Sequence, residues 1–148
     1  MGHIARMTPG LWAREYGLDT FVETGVFEGK SLGDMLKVPE FRRLISLEIS
    51  PKQIAVATAH LNCVGESGDH NRWEIILGDS AELVHQLCAG EDLEDARVLW
   101  WLDAHFPEMY SEETATRLPL LDEVEAIVTC KRDHSRDVIA MDDWRVYE

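Results

Sequence analysis

The chain has 148 residues, 45% hydrophobic and 28% charged, which suits one soluble globular domain spanning 1–148 with a single sizeable core. Its 28 acids against 14 bases leave a formal net charge of −14, and no run of Lys and Arg offers a phosphate backbone a landing face, so nucleic acid is not an expected partner. No apolar run reaches the roughly 18 residues that cross a bilayer, a signal-peptide core is missing, and Cys63, Cys88 and Cys130 are too few and too scattered for a disulfide framework or zinc knuckle, so the expected setting is cytoplasmic, without membrane.

In chain order, a helix near Pro9–Tyr16 precedes a first strand predicted over Thr20–Glu23. The stretch from Val22 to Ser31 then reads Val-Glu-Thr-Gly-Val-Phe-Glu-Gly-Lys-Ser, an apolar run ending in an acid and then two glycines four residues apart. That order predicts a buried strand, a tight turn and a helix start, which presents backbone N–H groups to a nucleotide-like ligand. The dinucleotide pattern G-x-G-x-x-G does not fit it. Nor does the G-x-x-x-x-G-K-[ST] loop, since Gly25 and Gly29 stand one residue too close.

A helix over Ser31–Val38 leads to a second strand, Leu44–Leu47, with Glu48 at its end. Ser50 is placed to cap the next helix, Pro51–Leu61, and Pro51 to open it. The third strand, Glu74–Leu77, runs into Gly78-Asp79-Ser80 and a helix over Ser80–Leu87. The fourth, Val98–Leu102, carries Trp100 and Trp101 on opposite faces, so helices are expected on both sides of the sheet. Asp103 and His105 follow it. The segment from Phe106 to Arg117 lies at the end where open α/β sheets bind ligands and is predicted to be a substrate lid. Leu118–Val128 places Leu121, Val124, Glu125 and Val128 at helical spacing, and Asp137–Met141 is the fifth strand, followed by Asp142 and Asp143. Short Val-, Ile- and Leu-rich runs alternating with helical segments predict β-α-β units around a parallel sheet.

The segment Glu23-x-Gly25-x-x-x-Gly29 resembles motif I, E/D-x-G-x-x-x-G, of the class I S-adenosylmethionine (SAM)-dependent methyltransferases. Ile45–Glu48, Trp73–Ser80, Val98–His105 and Val138–Asp143 resemble that family's next four strands, in the same order, over roughly residues 19–143. The resemblance implies an α/β three-layer sandwich with a mostly parallel sheet in order 3-2-1-4-5, the Rossmann-like methyltransferase fold. It also implies a SAM-dependent methyltransferase acting on a hydroxyl of a small molecule or sugar. The family's sheet has seven strands, whereas this sequence ends at Glu148 without the terminal hairpin. The strand edge left open predicts a homo-oligomer that covers it.

On this reading Gly25 lets the backbone pass close to the cofactor, Glu23 meets its amino group, and Thr24, Gly29 and Ser31 belong to the same loop. Glu48 accepts the ribose hydroxyls, Asp79 and Ser80 face the adenine, and Asp103 completes the cofactor set. Singly, Gly25 and Gly29 read equally well as turn glycines, Glu48 as an acid at a helix N-terminus, and Asp79-Ser80 as a helix cap.

Asp103, Asp142 and Asp143 would converge at the ends of adjacent strands, where so much like charge needs a cation or raised pKa values. Oxygen ligands suit Mg²⁺, Ca²⁺ or Mn²⁺. The placing is similar to that of metal-dependent O-methyltransferases, whose divalent ion binds a substrate's vicinal hydroxyls; the alternative is that these acids only cap turns. His105 and Asp103 are the catalytic candidates, with His105 taking the proton from the acceptor hydroxyl or else merely packed. Two further functions stay open: a non-catalytic cofactor-binding domain, and a metal-dependent enzyme on the same scaffold that transfers no methyl group.

Overall fold

Five strands run parallel in the order β3-β2-β1-β4-β5: β1 at Thr20–Thr24, β2 at Arg43–Glu48, β3 at Trp73–Leu77, β4 at Val98–Leu102 and β5 at Val138–Met141. The helices between them are α1 (Pro9–Tyr16), α2 (Lys30–Met35), α3 (Pro51–Val64), α4 (Ser80–Ala89) and α5 (Leu120–Cys130). The computed structural model describes residues 4–66, 68–104 and 119–142. His105, the lid segment from Phe106 to Arg117, and Asp143 lie outside the described residues.

The central strands are buried on both faces, so they read as apolar runs and their side chains divide by alternation. Phe21, Leu44, Leu99 and Trp101 meet Ala13 of α1, Leu32 and Met35 of α2, and Ala57 and Leu61 of α3. Val22, Ile45, Trp100 and Leu102 point the other way, onto Val84 and Leu87 of α4 and Leu120 and Ile127 of α5. Trp100 and Trp101 are both buried, one in each layer. The three layers and the strand order are those the sequence led us to expect. No helix among the described residues is long and apolar enough to cross a membrane.

α3 runs on past the predicted Leu61 to Val64, and two other helices depart from expectation in ways that matter for packing. α2 closes after six residues at Met35, short of Val38. Its start at Gly29 has no side-chain cap and Gly33 lies inside it, both weakening a short helix, so the chain leaves through tighter bonds from the Lys37 and Val38 N–H groups to the Asp34 and Met35 carbonyls, 3.1 and 3.0 Å. Those glycines serve packing. A Cβ on Gly29 would lie 3.0 Å from the Ala57 Cβ, and one on Gly33 would lie 3.3 Å from His60 Nε2 and Val64 Cγ2, so α2 rests on α3 where side chains are missing.

α5 is rotated from the stripe the sequence suggested. Leu120, Glu123, Ala126 and Ile127 face inward, while Leu121 is 69% exposed and Val128 44%. Leu120-Leu121 and Ile127-Val128 are adjacent apolar pairs, so two stripes one residue apart fit the helical period equally well, and each carries a glutamate, Glu123 on one and Glu125 on the other, so charge does not separate them.

The amino ends of the strands are tied by buried charge. Lys131 Nζ donates to the Ala96 and Asp133 carbonyls at 2.9 and 2.7 Å and lies 3.1 Å from Asp137 Oδ2, both side chains almost fully buried. Asp137 also accepts the Val98 N–H at 3.0 Å and the Trp100 indole N–H at 2.9 Å. One carboxylate thus fastens β4, the start of β5 and the end of α5. Removing one partner of a buried pair strands the other, so Asp137→Ala is expected to cost about 3–5 kcal/mol in urea unfolding, whereas Lys37→Ala, which breaks the exposed Lys37–Asp34 pair, should cost no more than about 1 kcal/mol. Equal losses for the two variants would refute the staple.

Candidate active site

The carboxyl ends of the strands form one rim, with an acid or a glycine at or just beyond each end: Asp79 after β3, Glu48 closing β2, Gly25 after β1, Asp103 after β4 and Asp142 after β5. β1 lies in the middle. The chain builds outward to β2 and β3 on one side and returns to β4 and β5 on the other, and the crevice above such a reversal is where open α/β sheets take ligands. The ladder extends past the strand ends through N–H bonds from Gly25 to the Leu47 carbonyl (2.8 Å), Gly78 to Glu48 (2.9 Å) and Asp142 to Leu102 (3.1 Å).

Gly25 is left-handed at φ 84°, and a Cβ there would press to 3.3 Å from the Asp103 carbonyl oxygen. Only glycine takes this turn without strain, and it leaves bare backbone at the centre of the rim. The loop beyond Gly25 is held from β2: Glu48 Oε2 accepts the Phe27 N–H at 3.2 Å, and Oε1 accepts the Ser50 N–H at 2.9 Å. Phe27 itself is left-handed at φ 46°, a costly conformation for a residue with a side chain. Asp79 caps α4 by accepting the Ala81 N–H at 3.0 Å, so the cap reading and the rim position hold together.

Glu23 is turned inward. It has no exposed surface; Oε1 accepts the hydroxyl of Ser46, its register partner on β2, at 3.0 Å, and Oε2 accepts that of Ser31 on α2. Glu23 and Ser31 thereby tie α2 to the sheet, each oxygen of Glu23 having a hydroxyl close by. Burial pushes its carboxyl up to about 8, with the two hydroxyls opposing and the Asp103 and Glu48 charges adding to the rise. Gly29 is likewise spoken for by Ala57.

A residue that sequence reading missed sits below the rim. Glu123 of α5 has no exposed surface, and its Oε2 lies 3.5 Å from the Thr24 hydroxyl. Burial pushes its carboxyl up to about 7, the Ser80 and Thr24 hydroxyls opposing and Asp79 and Asp122 adding. Thr24, also fully buried, accepts the N–H groups of Asp103 and Ala104 at 3.1 Å each. Thr24 and Ser80, expected at the ligand, therefore face α5 and the end of β4. The signal was available only as an acid one residue off an apolar stripe.

Asp103 and Asp142 stand side by side, since Leu102 and Met141 are register partners. Among the described residues no three His, Cys, Asp or Glu side chains gather closely enough to hold a metal ion. The third expected ligand, Asp143, and the catalytic candidate His105 are outside those residues.

The two neutral-leaning acids fix a direction for pH dependence. An unfolded glutamate titrates near its ordinary value of 4.5, but Glu123 and Glu23 keep their protons to about 7 and about 8 in the folded chain. The folded state then binds more protons than the unfolded state, so this contribution is whole below the unfolded value and is lost as pH climbs through 7 to 8. Urea midpoints measured from about pH 5 to about pH 8.5 should fall, and Glu23→Gln and Glu123→Gln should each flatten the fall. A wild-type midpoint that rises over this window would show these acids to be ionised in the fold.

No protein-family model matches the sequence, and no curated protein sequence does either. Among solved structures the chain is similar to the O-methyltransferase TomG from Streptomyces achromogenes in complex with SAM, with a TM-score of 0.64 and 16% identity over 89% of this chain and 52% of that one. It is similar to the methyltransferase PaMTH1 from Podospora anserina bound to SAH, S-adenosylhomocysteine, with a TM-score of 0.66 and 18% identity over 96% of this chain and 53% of that one. Spermidine synthase from Thermotoga maritima matches at 0.51 and 20% identity over 79% of this chain and 35% of that one. The chain thus spans about half, or less, of the length of these structures. At such identities the likeness is one of fold, and the fold is the Rossmann-like methyltransferase fold.

Proposed function

We propose that the chain is a SAM-dependent methyltransferase that methylates a hydroxyl of a small molecule or sugar. The observation that carries this reading is the Gly25 turn at the end of the central strand, with Glu48 and Asp103 at the ends of the strands on either side. A flat, hydroxyl-bearing ligand lying across β1 meets bare backbone below and carboxylates at both flanks.

The donor set fits that cofactor. A carboxylate has about four acceptor positions; Glu48 uses some for the Phe27 and Ser50 N–H groups and keeps others for a pair of ribose hydroxyls. The Asp103 and Glu48 charges, which already push Glu23 up, are relieved by a ligand bearing a sulfonium and an ammonium group. When bound, SAM supplies a methyl group on positively charged sulfur. The chain's own work is to hold the ligand at Gly25 and Glu48, to offer Asp79 to an adenine amine, and to aim the acceptor in line while water is kept out. His105, two residues beyond Asp103 in the sequence, would take the acceptor's proton.

In the same proposal Asp103, Asp142 and Asp143 hold Mg²⁺ or another divalent ion that lowers the acceptor hydroxyl's pKa. Carboxylate oxygens suit a hard cation of this kind, and Asp103, Asp142 and Asp143 would be the residues to hold it. The hydroxyl acceptor takes support from TomG, which is an O-methyltransferase. A homo-oligomer, in a cytoplasmic setting, completes the reading.

Calorimetric titration with SAH tests the pocket without the acceptor. One-to-one binding in the micromolar range is expected, with Gly25→Ala and Glu48→Ala weakened about 10- to 100-fold while circular dichroism stays unchanged; no heat at millimolar SAH would sink the cofactor assignment. For the ion, methyl transfer to hydroxyl acceptors should fall at least about tenfold on chelation and recover with Mg²⁺ or Mn²⁺, and Asp142→Asn should need more metal for the same rate. Full activity in chelator would remove the ion from the mechanism.

A further inference from the structure

Glu123 is not explained by packing. A wholly buried carboxyl is costly, and an apolar residue at this inward position of α5 would join Leu120, Ala126 and Ile127 without cost. What it touches gives the reason. The Thr24 hydroxyl has two lone pairs and one hydrogen. Both lone pairs are engaged by the Asp103 and Ala104 N–H groups at 3.1 Å, so its hydrogen must point elsewhere, and Glu123 Oε2 at 3.5 Å is the acceptor on that side. The turn held by those two N–H groups is the one against which Gly25 is packed, with the Asp103 carbonyl 3.3 Å and the Ala104 Cα 3.5 Å from where a Gly25 side chain would begin.

We infer that Glu123 is a positioning residue for the rim: by taking the Thr24 hydroxyl's hydrogen it fixes the oxygen that clamps the Asp103–Ala104 turn beside Gly25. α5 thereby sets the gap across which a ligand would lie, at a distance from that ligand and without touching it. The groups bearing on Glu123 are Thr24 of β1, Ser80 and Asp79 at the start of α4, and Asp122 of its own helix. Its consequence for ligand affinity rests on the cofactor reading above, whereas its consequence for the turn does not.

The test uses the full chain and two variants, Glu123→Leu, which keeps bulk but accepts no hydrogen bond, and Glu123→Gln, whose amide oxygen still accepts one. Site-resolved amide hydrogen exchange should speed at Asp103 and Ala104 by about tenfold in the Leu variant, the loss of roughly one hydrogen bond, while amides of β2 keep wild-type rates. The Gln variant should restore slow exchange at both positions. SAH titration should then show the Leu variant about tenfold weaker and the Gln variant close to wild type. Unchanged exchange at Asp103 and Ala104, a uniform rise across all strands, or a Gln variant as fast as the Leu variant would each overturn the inference. A wild-type chain that binds no SAH but shows the exchange pattern and its Gln rescue would retain Glu123's role and remove the cofactor reading alone.

Discussion

The close contact between the ends of β1 and β4 is the constraint on which the rim depends. Register brings Thr24 beside Leu102, and the next residue on each strand must then share one space. Gly25 yields that space by having no side chain and taking a left-handed turn, while Thr24 spends both lone pairs on the opposing backbone. Buried N–H groups need partners, so a hydroxyl at the end of β1 is as necessary as a glycine after it. The Gly25 turn in turn aims the loop toward Glu48, which closes it through the Phe27 N–H.

Most of the fold was legible because parallel strands buried on both faces leave a plain mark. Val98–Leu102 was read to the residue, and Trp100 and Trp101 fell into opposite layers as their alternation required. The acids at strand ends were legible for the same reason, since a polar residue ending an apolar run must sit where the sheet meets solvent. The ends of α2 were not. Its length depends on whether two glycines are tolerated by contact with Ala57, His60 and Val64, which lie some thirty residues away and cannot be read locally.

Glu23 and Glu123 share a feature that the sequence does not display, since charge ordinarily means exposure. Both are wholly buried, each with hydroxyls at hand, and in each burial outweighs those hydroxyls so that the carboxyl leans toward its neutral form. A neutral carboxyl is a compact polar group with both a donor and acceptors, which suits it to joining a helix to a sheet end. Sequence pattern cannot distinguish that use from an ionised one, since the protonation state is a property of the assembled surroundings.

The two ends of the sheet bury charge in opposite ways. At the amino ends Lys131 meets Asp137 and two carbonyls, and Arg72 donates to the Leu36 and Phe41 carbonyls and to Asp69, so cations are satisfied in place. At the carboxyl ends neighbouring acids add to the rise that burial causes at Glu23 and Glu123. Close like charge costs stability, and a structure built only to be stable would dilute it with basic residues, as the other end does. A rim kept acidic at that cost favours positive charge over it, and the Asp103 and Glu48 charges, which add to a rise at Glu23 caused first by burial, are the charges a cation would feel. The amino end can bear the expense because its Lys131–Asp137 pair is dry and complete, and the strained, acid-bearing end is thereby free to keep its acids.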